Sequence, residues 1–183
     1  MLTAADVPFD AIASGVDEAS AKASLSADGI SARNLADALA ELKAVKLSRR
    51  YPEALVLGCD QVASLGGRIF DKSESQAEAR EHLVALRGET HSQASAAVIC
   101  EGGKPVWRHI DVAKLTMRDF SEAFLDTYLE AEWPAISGCA GGYRIEGRGG
   151  QLFTQLDGSY FTILGLPLLP LLDYLRVRGV MVK

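Results

Sequence analysis

Between Asn34 and Arg50 the apolar residues Leu35, Leu39, Leu42 and Val45 recur at steps of three and four, with Lys43, Lys46, Arg49 and Arg50 around the rest of the cylinder. That spacing predicts an amphipathic helix, which Pro52 ends. The run Leu55-Val56-Leu57-Gly58-Cys59-Asp60-Gln61-Val62 follows and predicts a buried strand. Ser75-Gln76-Ala77-Glu78 has the Ser-x-x-Glu spacing of a capping box and opens a helix through Leu83 and Leu86 to Gly88. Two strands are then expected, Thr90 to Cys100 and Val106 to Thr116, joined by Glu101-Gly102-Gly103-Lys104-Pro105. Phe120 and Leu125 flank the N-cap Ser121 as a hydrophobic staple, so a helix runs to about Glu130 and stops at Trp133-Pro134. Gln151 to Leu156 and Ser159 to Leu164 read as a second hairpin around Asp157-Gly158. Pro167 opens a last helix, with Leu168, Leu171, Leu172 and Leu175 on one face and Gly179 at its end. The succession predicts an α/β protein with a mixed sheet and a cleft.

Composition narrows the picture. The 183 residues, 48% of them hydrophobic, suffice for one domain or two small lobes sharing a core. Nineteen basic against 24 acidic residues give a net charge of -5, with the basic residues scattered, which argues against duplex nucleic acid as a partner. Cys59, Cys100 and Cys139 are far apart and lack Cys-x-x-Cys spacing, which fits a reducing cytoplasm better than a disulfide framework or structural zinc. The longest apolar run, Ile163 to Leu172, contains Pro167 and Pro170 and is about half of what spans a bilayer, so it reads as core.

Candidate chemistry lies in carboxylates, cations and glycines. Asp60 ends a strand, where α/β proteins often place chemistry, although taken alone it reads first as a turn or helix cap. Glu18 reads alone as a turn residue and Lys43 as a solvated helix charge. Six glycines between Gly138 and Gly150 are interleaved with Tyr143, Arg144, Glu146 and Arg148, giving a backbone that can approach a ligand closely. His82, His91 and His109 lack metal-ligand spacing and read as structural. With Lys72, these residues supply what a triphosphate hydrolase needs: an acid to activate water or hold a metal, cations for phosphate charge, and backbone donors.

As a set they are recognisable. Asp17-Glu18, Leu39-Ala40-Glu41-Leu42-Lys43-Ala44, Leu57-Gly58-Cys59-Asp60-Gln61-Val62 with Lys72, Leu86-Arg87-Gly88-Glu89-Thr90-His91, Gly141-Gly142-Tyr143-Arg144-Ile145-Glu146-Gly147 and Gly158-Ser159-Tyr160 running to Leu164-Gly165-Leu166-Pro167 stand in one order. The chain resembles, over essentially its whole length, the Maf family of nucleotide pyrophosphatases, also called septum-formation inhibitor proteins. The resemblance implies a single domain over residues 1–183, with a twisted mixed sheet, flanking helices and two lobes around a central cleft, like inosine triphosphate pyrophosphatase. It implies hydrolysis of a nucleoside triphosphate to the monophosphate and pyrophosphate with a divalent cation, magnesium, manganese or cobalt. Asp60 would be the general base or a metal ligand, with Glu18 as the other metal candidate, and Lys72 would neutralise phosphate charge. Lys43 and Glu18 would line the same cleft, and Gln61 and Glu146 would meet the substrate. A cytoplasmic homodimer is the implied setting, with no membrane and no duplex nucleic acid.

Three departures qualify the resemblance. The family begins with a strand and a Ser-rich loop ending in paired arginines, and Met1-Leu2 aligns just after that loop. The expectation is therefore a missing phosphate grip, each lost charge-assisted contact costing about 1.5–3 kcal/mol, and an unpaired edge inside the sheet. Either the start is wrong or the chain is a truncated, inactive form. Second, Asp71-Lys72-Ser73 replaces the family's Gly-Lys-Pro, removing both conformational specialists from the turn that presents Lys72. Third, Gln61 and Glu146 stand where the dTTP and UTP branch has Thr and Gln, a pairing closer to the 7-methyl-GTP branch. A carboxylate there can accept from the guanine N1-H and N2-H₂ edge, although Glu146 could equally bind metal or pair with Arg144 or Arg148. A nucleotide-binding regulator of cell division with little turnover is the competing reading.

Overall fold

Helix α1 (Glu18–Ala27) is the first regular element after a short 3-10 turn at Thr3–Ala5, in a computed structural model that describes residues 1–27 and 29–182. It was not legible as a helix, because its sequence lacks apolar periodicity. What starts it is Asp17, whose Oδ1 accepts from the Ser20 amide at 3.0 Å and whose Oδ2 accepts from the Ser20 hydroxyl at 2.7 Å. Helix α2 (Ala32–Arg50) is capped by Ser31 and buries Leu35, Ala36, Leu39, Ala40 and Ala44.

Strand β1 (Val56–Leu65) outruns the predicted segment and turns through Gly66 and Gly67 into a short β2 (Arg68–Phe70) that the sequence reading had missed. Both glycines have positive φ (58° and 89°), the signature of a tight hairpin. The capping box opens α3 (Gln76–Leu86) with Ser75 Oγ accepting from the Glu78 amide at 3.1 Å, but Glu78 reaches back to the Glu74 amide instead of to its cap. Strands β3 (Thr90–Glu101) and β4 (Lys104–Met117) meet at a two-residue Gly102-Gly103 turn, which leaves Pro105 inside β4. Ser121 Oγ caps α4 (Glu122–Glu132) as expected, and the two residues expected to staple it, Phe120 and Leu125, are both buried.

The second hairpin does not form. Its first half is β5 (Phe153–Asp157), which pairs antiparallel with β4 from Lys114↔Asp157 to Met117↔Phe153. Its second half is a short helix, α5 (Tyr160–Ile163), although Tyr, Phe, Thr and Ile all favour strands. The chain leaves β5 at Gly158, whose φ of 123° sets it so close to β4 that a Cβ would lie 2.9 Å from Ala113 Cα. The carbonyls of Thr162 and Ile163 are then bound by side chains from β1 and β3 instead of by a neighbouring strand. Helix α6 (Leu168–Val177) ends the fold with its four predicted leucines buried.

The five strands make one antiparallel sheet in the order β2-β1-β3-β4-β5, so the α/β class is as expected. By chain contacts the molecule divides into two units. The first holds Met1–Gln61, Ala94–Asp111 and Ser159–Lys183, and the second Val62–Gln93 and Val112–Gly158. In the first, Val7, Ala97, Ile99, Leu168, Leu171 and Leu175 form one apolar cluster. In the second, α3 and α4 pack together and Phe70, Leu83, Leu86, Phe120, Leu125 and Leu152 are buried. Among the described residues β2 pairs with β1 only over Ala63–Leu65. An apolar groove of about 600 Å³, lined among others by Phe9, Ile12, Leu55, Leu57 and Leu171, lies beside the first part of β1. No helix among the described residues is long and apolar enough to cross a membrane.

Candidate functional site

Gly58 is where the site begins. A Cβ on this residue would lie 2.2 Å from the Ala40 carbonyl oxygen and 2.7 Å from the Ala44 nitrogen, so β1 meets the backbone of α2 with nothing between. Only glycine permits that approach. It carries Lys43, between those two alanines, onto the next residues of the strand. Lys43 Nζ donates to Asp60 Oδ1 at 2.6 Å and to the Cys59 carbonyl at 3.3 Å, and pairs with Glu18 Oε1 at 3.0 Å. Glu18 sits in the first turn of α1, where the positive helix end also favours it. Three residues that read alone as a turn, a solvated charge and a cap thus form one cluster in the first unit.

Its electrostatics are set by burial. The Asp60 side chain is 7% exposed, and burial raises its pKa above the usual carboxylate value, against the opposing hydrogen bond and charge of Lys43 and the charge of Lys22. Burial also pulls on Lys43, but Asp60 and Glu18 together outweigh it and hold the ammonium above its ordinary value. The Cys59 thiol is pushed up to about 12, chiefly by burial, and is no nucleophile. Asp60 Oδ2 is buried and has no hydrogen-bond partner among the described residues. One oxygen of the carboxylate is therefore pinned while the other keeps its lone pairs. Lys22, one turn after Glu18 on α1, is a contributor that sequence reading missed; its signal was the i, i+4 spacing to Glu18.

Gln61 leaves β1 on the opposite face, as strand alternation requires. Its Nε2 is shared among Ser95 Oγ (3.1 Å), the Thr162 carbonyl (3.0 Å) and the Ile163 carbonyl (2.9 Å). Ser95 Oγ donates to the same Thr162 carbonyl at 2.6 Å, and Thr162 Oγ1 donates to Asp111 Oδ2 at 2.6 Å. The donor of Gln61 is thus committed to holding α5 rather than free to meet a substrate.

The other candidates belong to the second unit. Lys72 is exposed and makes no ion pair among the described residues. Its turn, which lacks the family's Gly and Pro, is held instead by Ser73, buried, with Oγ 3.3 Å from His82 Nδ1 on α3. Among the described residues Glu146 pairs with neither Arg144 nor Arg148; Arg144 Nη2 donates instead to the buried Glu132 at 2.8 Å. That pairing offsets the cost of an acid in the last turn of α4. Gly149 lies against the Arg144 backbone, where a Cβ would be 2.3 Å from the carbonyl oxygen, so the glycine segment folds back on itself. Glu146 is exposed. The Cys139 thiol is raised mainly by burial and also by Glu146 and Glu132, and drawn down by Arg144 and Lys72. His82 and His91 are buried, in keeping with a structural reading.

Two carboxylates around one ammonium can hold and deprotonate water and can share a hard cation. Among the described residues no group of three or more His, Cys, Asp or Glu side chains could hold a metal unaided. The free Oδ2 of Asp60 and the half-exposed Glu18 nevertheless suit a cation whose remaining ligands are phosphate oxygens and water, as is usual for magnesium.

Comparison with known proteins fits this set. The model of the family described as Maf-like protein matches residues 1–178. A nucleoside triphosphate pyrophosphatase of Rhodospirillum rubrum is 50% identical over 183 residues, covering 100% of this chain and 91% of the relative. One of Caulobacter vibrioides is 50% identical over 179 residues, covering 98% and 89%, and one of Roseobacter denitrificans 48% over 179, covering 98% and 90%. The chain thus spans about nine tenths of the length of each of these relatives. On the family match and on these identities, the chain belongs to the Maf-like protein family.

Proposed function

We propose that this protein hydrolyses nucleoside triphosphates to the monophosphate and pyrophosphate, with Asp60 as the base. The observation that carries the reading is the asymmetry of that carboxylate: Lys43 holds Oδ1 at 2.6 Å, and Oδ2 is a buried acceptor without a partner among the described residues. A water beside Oδ2 gives its proton to Asp60 as its oxygen bonds to the α-phosphorus. The bond from that phosphorus to the α,β-bridging oxygen breaks, and pyrophosphate leaves. Lys43 keeps the base oriented, and burial makes Asp60 more basic than an exposed carboxylate. Lys72 meets phosphate charge. Asp60 and Glu18 would hold a divalent cation, which supplies Lewis-acid stabilisation of the phosphoryl oxygens. Relatives at 50% identity named nucleoside triphosphate pyrophosphatase support the activity.

Within that activity, Glu146 is proposed to read the base. Arg144 is engaged with Glu132, which leaves the Glu146 carboxylate to accept from a guanine edge and favours 7-methyl-GTP among substrates. The setting is proposed to be cytoplasmic, with a homodimer as the assembly.

The test is pyrophosphate release from a panel of GTP, 7-methyl-GTP, UTP and dTTP, with magnesium, manganese or cobalt added back after chelation. Asp60→Asn should lower kcat by about 10²–10⁴-fold, the usual range for a positioned base. Full activity in that variant, or release of phosphate in place of pyrophosphate, would overturn the assignment.

A further inference from the structure

The segment 138–150 makes backbone bonds mainly within itself, such as Gly142 N to Cys139 O, Gly147 N to Arg144 O and Gly150 N to Gly147 O. Turns of this kind shape a loop without fixing it to the protein. The Tyr128 hydroxyl donates to its Gly142 carbonyl at 3.4 Å, and two adjacent side chains of the segment, Tyr143 and Arg144, fix it further. Arg144 reaches Glu132. Tyr143 goes inward, 5% exposed, with its ring edge-on to Phe153 at 4.9 Å between centroids. Its hydroxyl lies 2.8 Å from Gln93 Nε2 and 2.6 Å from His91 Nε2, both on β3.

An amide nitrogen can only donate, so Tyr143 Oη accepts from Gln93. The hydroxyl and His91 Nε2 share a second hydrogen bond. Burial keeps His91 neutral, lowering its pKa to about 4. Gln93 Nε2 also lies 3.4 Å from the Ala140 carbonyl, so one amide touches the segment at two places.

This arrangement is a poor way to make a stable core. His91 and Gln93 are each 1% exposed, and among the described residues His91 Nδ1 and Gln93 Oε1 have no hydrogen-bond partner. Apolar residues of similar size would bury the same area without orphaned atoms. What the polar pair adds is direction: a hydroxyl held from two sides fixes the ring, and with it the backbone from Ala140 to Tyr143, in one orientation.

We infer that Gln93 and His91 are positioning residues for nucleotide recognition, gripping the Tyr143 hydroxyl so that the glycine segment presents Glu146 in a single place. The inference rests on the reading of Glu146 as the residue that meets the base. Tyr143→Phe keeps the buried ring and removes only the hydroxyl. By removing both hydrogen bonds of that hydroxyl it should raise KM about 5- to 10-fold, with a much smaller change in kcat. It should also narrow the preference among GTP, 7-methyl-GTP, UTP and dTTP.

Gln93→Leu should act in the same direction, and the double variant should fall short of the sum of the two single effects, because the Tyr143–Gln93 bond is common to both. Gln93→Leu also serves should Tyr143→Phe fail to fold. A lower melting temperature with KM and nucleotide preference unchanged in both variants would mean a merely structural role and overturn the inference. Glu146→Gln separates the two claims. If it changes nucleotide preference and Tyr143→Phe does not, the positioning inference fails and the reading of Glu146 stands. If Glu146→Gln leaves preference unchanged, the reading of Glu146 fails and takes the inference with it.

Discussion

Lys43 holds two carboxylates with one ammonium, and its side chain is only 18% exposed. Lys43→Met keeps the length and apolar bulk but leaves Asp60 buried beside Glu18 without a cation. The expected result is a loss of about 1–3 kcal/mol in stability, the cost of an unpaired buried polar group, together with a fall in kcat. Urea unfolding and the pyrophosphate assay measure the two, and a variant unchanged in both would remove Lys43 from the site. His91 makes a different prediction. Its folded pKa is about 4 against 6.5 when free, so between those values the unfolded chain binds the extra proton. Stability is therefore complete above 6.5 and falls as pH drops through this window, by up to about 3 kcal/mol. His82, also lowered by burial, acts in the same direction. Denaturation midpoints at the two ends of the window should differ less in His91→Asn than in the wild type, and an equal difference would refute the argument. None of these environments was visible residue by residue. A lysine on a helix and an acid after a turn have no neighbours in the sequence that reveal burial.

At the scale of elements, the contact of β1 with α2 decides whether the site exists. Gly58→Ala puts a methyl group into the Ala40 carbonyl and the Ala44 backbone, neither of which is the end of a flexible side chain. Overpacking of this kind costs about 1–3 kcal/mol, and a chain of this size loses about 2–4 °C in Tm per kcal/mol. The variant should melt several degrees lower and lose activity out of proportion to its folded fraction, because the strand must move away from Lys43. Differential scanning calorimetry and the pyrophosphate assay on the same sample would show it; a Tm within a degree of the wild type would not fit. The elements themselves were legible where they carry their own signals. Ser75 and Ser121 cap helices at the positions their spacing predicts, and Gly102-Gly103 closes its hairpin. Helix α1 was hidden because Asp17 and Ser20 start it without an apolar stripe, and α5 was misread because its strand-forming residues are overruled by side chains that bind its carbonyls.

For the whole molecule, binding and folding are linked. A nucleotide with a non-hydrolysable α,β-bridge, supplied with a divalent cation at about 100 times its dissociation constant, should stabilise the protein by about 2.7 kcal/mol. The rise in Tm should persist in Asp60→Asn if that residue acts on water more than on binding; no rise in either protein would argue against a triphosphate ligand. With a net charge of -5 and scattered basic residues, binding of duplex DNA is not expected. The sequence by itself determined the α/β class and most helices, which follow from local spacing, caps and turns, and its order of motifs carried the resemblance to the family and marked Asp60 as the candidate base. The tertiary structure decided which residues act together: Glu18, Lys43 and Asp60 in one cluster, Gln61 turned toward α5, Arg144 taken by Glu132, and Tyr143 held by Gln93 and His91. The reason is physical. Periodicity and capping act over a few residues, whereas burial, charge pairing and the close approach that Gly58 allows arise only when distant segments pack.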